Sequence, residues 1–147
     1  MKVYLDNCSY NRPFDDQNQM RIYLETQAKL YIQKLIHEGN LLLAISYISR
    51  YENWNSPYSR NKITIEKFFE NATTFVDIDK ADIIEWKAHD IMKFGVKSKD
   101  ALHISCAIEA KCDYFITTDD GILKKYKNGE ISVCSPIEFI NIWEDIL

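Results

Sequence analysis

The spacing of apolar residues predicts one α/β domain over residues 1–147, built on a central parallel sheet covered by helices on both faces. Three observations lead there. Short, continuously apolar runs at residues 3–5, 41–45 and 114–117 have the character of strands buried on both faces. The stretches between them repeat apolar residues at helical intervals, and strands alternating with helices imply parallel pairing. A chain of 147 residues, 46% hydrophobic and 27% charged, is long enough for one core and short for two, and 4 Gly and 3 Pro leave little material for a flexible linker.

The elements follow in order. After the first strand, Pro13 and the Asx residues between 11 and 16 predict a loop, and Asp16 with Gln19 suits the cap of a long helix. Met20, Leu24, Ala28, Tyr31 and Leu35 mark that helix until Gly39 stops it. Residues 41–45 form the second strand, and Ser46 can cap a helix carrying Tyr51 and Glu52 that Pro57 ends. A further helix runs through Ile63, Ile65, Phe68 and Phe69, and residues 75–78 alternate like a short strand. Ala81, Ile84, Ala88 and Ile91 mark a helix closed by Gly95, and Asp100 opens the next one. After strand 114–117 come a turn at Asp119-Asp120-Gly121, a strand through Ile131 and Val133, and a last helix started by Ser135-Pro136. No internal repeat is present.

The formal net charge of −4 excludes a molecule that attracts polyanions over its whole surface, so any nucleic-acid grip has to be a local basic patch. Cys8, Cys106, Cys112 and Cys134 form no C-x-x-C pair and lack histidines at zinc-site spacing, which predicts reduced, buried thiols. The first residues read neither as a signal peptide nor as a membrane span, so a cytoplasmic protein is the expectation.

The acids carry the chemistry. Asp6 directly follows the first apolar run, Asp119 follows residues 114–118, and Asp100 stands at a helix start. In an open α/β sheet the carboxyl ends of the strands border the ligand crevice, so acids from distant parts of the chain can converge there. Such a cluster repels itself unless it holds cations. Oxygen-only ligands suit Mg²⁺ or Mn²⁺, and those ions commonly serve phosphate chemistry.

Leu5-Asp6-Asn7, Tyr51-Glu52-Asn53, Lys99-Asp100-Ala101-Leu102-His103 and Ile116-Thr117-Thr118-Asp119 together resemble a PIN domain, in order as well as in type, over nearly the whole chain. Residues 6–17 resemble a bacterial subgroup of that family. The resemblance implies a three-layer sandwich with about five parallel strands, and a metal-dependent ribonuclease, often the toxin of a VapC-like toxin and antitoxin pair. It makes Asp6, Glu52, Asp100 and Asp119 the metal-site and catalytic acids, with Asp120 an extra carboxylate of open role. Two positions depart from the pattern. Asn7 stands where many members have Thr, and its amide can make a similar supporting bond; Thr118 stands where members often have Asn.

Each acid also has a plain structural reading. Asp100 suits any helix N-terminus, Asp119 and Asp120 suit a turn before Gly121, and Glu52 suits a solvated helix face. Asp6 is the exception, because a charge directly after a buried strand is costly unless paired or metal-bound. His103 shares a helix face with Asp100 and can orient it, touch substrate or simply pack behind the acids; His37 and His89 read as surface residues. Arg12 is a candidate phosphate contact or a loop ion pair with Asp15 or Asp16. Lys97, Lys99 and Lys124 flank the acids and can bind RNA backbone or be solvated. The aromatics Tyr51, Trp54, Tyr58, Phe68 and Phe69 exceed one core face, which predicts a homodimer contact or an antitoxin groove. Two other classes compete: a catalytically silent PIN-like module that binds RNA or protein, and another acidic α/β phosphohydrolase. Of the latter, a haloacid-dehalogenase-like site would want an acid where Cys8 stands.

Overall fold

The computed structural model describes residues 1–146. Five strands, β1 (Lys2–Leu5), β2 (Leu42–Ser46), β3 (Thr74–Val76), β4 (Tyr114–Ile116) and β5 (Ser132–Cys134), pair in parallel in the order β3-β2-β1-β4-β5. Eight described helices surround them: α1 (Asn7–Asn11), α2 (Met20–His37), α3 (Tyr47–Trp54), α4 (Ser59–Phe69), α5 (Ala81–Met92), α6 (Ser98–Glu109), α7 (Asp120–Lys125) and α8 (Pro136–Ile146).

The period of two along each strand divides the core into two layers. Val3 and Leu5 of β1 join Leu43, Ile45 and Ile116 against Ile32 and Leu35 of α2, Phe68 and Phe69 of α4, and Phe139 of α8. Tyr4 points the other way, where Ala44, Val76 and Phe115 meet Ile84 and Ala88 of α5 and Ala101 and Ile104 of α6. Burial on both sides is why these strands read as unbroken apolar runs. Full burial of a side chain such as Ile104 contributes about 1.5–3 kcal/mol.

From β1 the chain steps outward to β2 and β3, then returns to place β4 on the other side of β1. The direction of winding therefore reverses between β1 and β4, and the crevice outside their carboxyl ends is the place an open α/β sheet offers a ligand. Leu5 pairs with Ile116, and the Asp6 N–H donates to the Ile116 carbonyl at 2.9 Å. Asp6 and Thr117 thus leave the sheet side by side.

Several local expectations need correction. Residues 7–11 form α1, with Asp6 as its N-cap, and the expected loop is partly a 3₁₀ turn at Arg12–Phe14. Asp16 accepts from the Asn18 N–H at 3.0 Å and caps nothing; α2 begins at Met20, and Gln19 before it makes no side-chain cap bond. The expected turn at residues 119–121 is the start of α7, because Asp119 accepts from the Ile122 N–H and so nucleates a helix. The third strand ends at Val76, where Asp77 caps a 3₁₀ turn over Ile78–Lys80. The Ser46 cap is present as a reciprocal box with Ser49.

Candidate active site

Asp6 is almost fully buried at the end of β1, and three donors hold its carboxylate. Oδ1 accepts from the Asn7 N–H at 2.7 Å, while Oδ2 accepts from Thr117 Oγ1 at 2.9 Å and from Cys8 Sγ at 3.4 Å. Thr117 Oγ1 in turn accepts from the Asp119 N–H at 3.1 Å. One hydroxyl therefore ties the ends of β1 and β4 together and brings two of the expected acids to one spot. Burial, then the charge of Asp6, push the Cys8 thiol up to about 12. It stays protonated, a donor to Asp6 and a poor nucleophile.

Asp100 enters from the first turn of α6. Burial first, and then the negative charges of Asp6 and Asp119, raise its carboxyl from 3.8 to about 6. The fields of these three acids overlap. Among the described residues, no three His, Cys, Asp or Glu side chains are gathered tightly enough to form a ready-made metal ligand set.

Glu52 stands apart from them electrostatically. Its Oε1 lies 2.9 Å from His103 Nε2 and 3.4 Å from Lys99 Nζ. Burial alone would raise its carboxyl, but His103 and Lys99 outweigh burial and hold it below 4.5. His103 is 1% exposed. Burial disfavours its charged form, yet Glu52 and Asp6 more than offset that and raise it above 6.5. Its Nε2 meets Glu52 at ion-pair distance without a well-aligned hydrogen bond, and its Nδ1 bonds the Tyr4 hydroxyl at 2.6 Å. Tyr4 also reaches Ser46 Oγ at 2.7 Å and Ser49 Oγ at 2.9 Å. His103 thus contacts Glu52 directly and reaches Asp100 only through its field, in a buried network that locks β1, β2, α3 and α6.

The expected cations are mostly engaged. Arg12 donates to buried Glu25 at 3.1 Å and to Asp15 at 3.1 Å, so the loop ion pair is what the structure contains and its guanidinium is spent within the fold. Asp120 takes both 2.8 Å bonds from Arg21 of α2, which also donates to the Thr118 carbonyl; it is turned toward α2 and half exposed. Lys99 is drawn to Glu52, Lys97 lies in the field of Asp100, and Lys124 lies in that of Asp120. All three lysines are exposed.

Two supporting roles shift by one residue or one atom. The Asn7 side chain accepts from Asn11 Nδ2 at 3.2 Å, so it is the Asn7 backbone that supports Asp6. Thr118 contributes its backbone N–H to Cys8 Sγ, and Thr117, which sequence reasoning passed over, holds Asp6. Tyr4, Ser49 and Arg21 were also missed, and Ser46, expected only as a cap, also bonds the Tyr4 hydroxyl. The i,i+4 spacing of Arg21 and Glu25 is a readable pair, but nothing in the sequence points Arg21 at Asp120 or Tyr4 at His103.

No model of a known protein family matches the chain, and no curated protein does. Among solved structures, a chain of VapBC2 from Rickettsia felis, crystallised bound to a DNA fragment from their promoter, shares the fold. It is 17% identical, with 92% of this chain and 98% of that chain covered at a TM-score of 0.56. The α/β architecture with five parallel strands is thus the PIN-like one that the sequence resemblance implied. Among the described residues no helix is long and apolar enough to cross a membrane.

Proposed function

We propose that the protein is a PIN-type endoribonuclease that hydrolyses RNA phosphodiesters with Mg²⁺ or Mn²⁺, and that it is the toxin of a cytoplasmic toxin–antitoxin pair. One observation carries the catalytic part. Asp6 and Asp119 are tied together through Thr117 where the sheet reverses its winding, and Asp100, from a third stretch of the chain, lies in their field with no neighbouring cation strong enough to keep it at its ordinary value. A hard, oxygen-only donor set with excess negative charge suits a divalent ion of this type. Asp6, Asp100 and Asp119 would hold it, with Glu52 joining after release from Lys99. When bound, such an ion offsets the carboxylate repulsion and polarises a phosphoryl oxygen and water.

The chain's own groups prepare the site. Thr117, Cys8 and the Asn7 N–H fix the Asp6 carboxylate in one orientation, and the Ile122 N–H fixes Asp119. Cys8 and Thr117 both spend their protons on Asp6, which argues against a covalent thiol or hydroxyl route. Asp120, bound to Arg21, stays outside this set. The antitoxin partner rests on the shared fold with VapBC2.

The test is cleavage of labelled RNA by purified protein with Mn²⁺ or Mg²⁺ against the same protein in chelator, with Asp6→Asn purified in parallel. Metal-dependent cleavage by the wild type and none by Asp6→Asn is expected; equal cleavage by both would retire the assignment. For the partner, growth arrest on expression should be relieved by the product of an adjoining small reading frame. A silent RNA- or protein-binding module is the second reading, and the Glu52 ion pair with His103 and Lys99 favours it, since one of the acids is already neutralised. The cleavage test separates the two.

A further inference from the structure

We infer that the cleft between α1 and the α3–α4 connection binds one unpaired nucleotide of single-stranded RNA, with Tyr58 stacking on the base and Arg60 holding the adjacent phosphate. The inference rests on the nuclease reading above and adds where the strand lies. The cleft has a volume of about 670 Å³, within the range of ordinary ligand pockets, and Glu52 forms part of its wall. A strand seated there therefore reaches Glu52 and passes Asn7, the neighbour in sequence of Asp6.

The charge pattern selects the ligand. Asp15 and Glu52 line the cleft, but each already has its cation, Arg12 for the first and Lys99 with His103 for the second. Arg60 is different. Arg12, Arg21 and Arg50 each make an ion pair, while Arg60 makes none among the described residues. The uncompensated charge in this cleft is thus a guanidinium, the group that matches phosphate bidentately.

The aromatic pattern points the same way. Tyr58 is 67% exposed, and its ring packs on no other ring among the described residues. Tyr51 and Trp54, also exposed, continue along α3, with Lys62 Nζ 4.9 Å from the Trp54 ring. Residues 47–69 hold four basic side chains, Arg50, Arg60, Lys62 and Lys67, against two acids, Glu52 and Glu66, in a chain of net charge −4. Cations interleaved with free aromatic faces are the means by which proteins hold single strands. Asn7, Asn11 and Asn61 add amides that can bond a base edge or a 2′-hydroxyl. A duplex would keep its bases stacked away from Tyr58.

The experiment measures binding without turnover. Full-length Asp100→Asn protein in Ca²⁺ is titrated with a labelled single-stranded RNA of about twelve nucleotides, within the usual range of site sizes. Adding Tyr58→Ala should weaken affinity about tenfold, the worth of one base stack, and Tyr58→Phe should not. Arg60→Ala should lower the slope of log affinity against log salt by about 0.7, one phosphate contact, and Arg60→Lys should restore it. RNA carrying 4-thiouridine should crosslink within residues 58–61. Both side chains are exposed, so melting temperatures should match the parent. Unchanged affinity in Tyr58→Ala and Arg60→Ala, with crosslinks elsewhere, overturns the inference. So does a double variant that keeps RNA affinity but loses self-association in sedimentation, which would make this face a protein interface. Failure of the two readings is distinguishable: RNA held in this cleft by a wild type that cleaves none with any divalent metal retires the nuclease and keeps the cleft, whereas metal-dependent cleavage with unaltered binding by the variants does the reverse.

Discussion

Glu52 on α3 and Asp100 on α6 are carboxylates expected at the same crevice, yet their surroundings drive them in opposite directions. Burial works against the charge of both. At Glu52, His103 and Lys99 prevail over it and hold the group ionised. At Asp100, Asp6 and Asp119 add to it, and the carboxyl rises to about 6. Negative charge left unbalanced by the protein is thus concentrated on the β1–β4 side, where a cation gains most, while the α3 side is already neutral. The contrast also separates two jobs for an acid: Glu52 helps hold the fold together, and Asp100 strains it.

The largest effect that would break this contrast is on catalysis. Asp100→Asn should lower metal-dependent RNA cleavage at least about a hundredfold, since even the outer partners of a metal ligand are worth roughly 10–100-fold. Single-turnover assays at fixed Mn²⁺ would measure it, and wild-type rates would remove Asp100 from the site.

Stability should then split the two acids by sign. Glu52→Gln leaves buried His103 without its counter-charge and should cost about 3 kcal/mol in urea unfolding, the range for breaking a buried pair. Asp100→Asn, measured without metal, should leave stability unchanged or raise it by about 1 kcal/mol or less. Destabilisation of similar size in both would mean that the pairing contrast has no energetic content.

Metal should act chiefly on the side of Asp6, Asp100 and Asp119. A ligand at a hundred times its dissociation constant stabilises the folded state by about 2.7 kcal/mol, which for a domain of this size is a melting shift of roughly 5–10 °C. Mn²⁺ should give that shift in the wild type and a smaller one in Asp119→Asn. Asparagine caps a helix as well as aspartate does, so this change removes the charge and keeps α7. Equal shifts would place the metal elsewhere.

The smallest effect is in the pH dependence of the metal-free protein. Asp100 has a folded-state value raised from 3.8 to about 6, so the native state binds more protons between those values. Its contribution is full below 3.8 and lost as pH rises through about 6. Glu52, lowered from 4.5, contributes above 4.5 and loses that as pH falls below it. His103, raised from 6.5, contributes below 6.5 and loses that at higher pH. Between pH 4.5 and 6 the fall with rising pH therefore belongs mainly to Asp100 among these three. Urea midpoints in chelator should decline across that window in the wild type and flatten in Asp100→Asn.

Arg12 and Arg60 sharpen what could be read in advance. Arg12 drew attention by its closeness in sequence to Asp6, but α2 brings Glu25 to it from 13 positions away and occupies it. Arg60 follows Glu52 across the Pro57 break and gave no signal, and the fold leaves it without an ion pair at the cleft. The five aromatics behave in the same divided way. Phe68 and Phe69 fill the core, and Tyr51, Trp54 and Tyr58 remain outside.

The sequence by itself determined the parallel sheet, because strands buried on both faces must be apolar throughout while amphipathic helices repeat at helical intervals. It determined the positions of Asp6 and Asp119 at strand ends and Asp100 at a helix start, because an ionised group cannot lie within those apolar runs. Short helices such as α1 and α7 escaped it, being too brief to show a period and resting on the caps of Asp6 and Asp119. Only the tertiary structure decided which charges are spent and which are free. His103 going to Glu52, Arg21 to Asp120 and Thr117 to Asp6 are contacts across 51, 99 and 111 positions of chain. Such pairs depend on the order β3-β2-β1-β4-β5 and on strand register, and a pattern read over a few neighbouring residues carries no information about either.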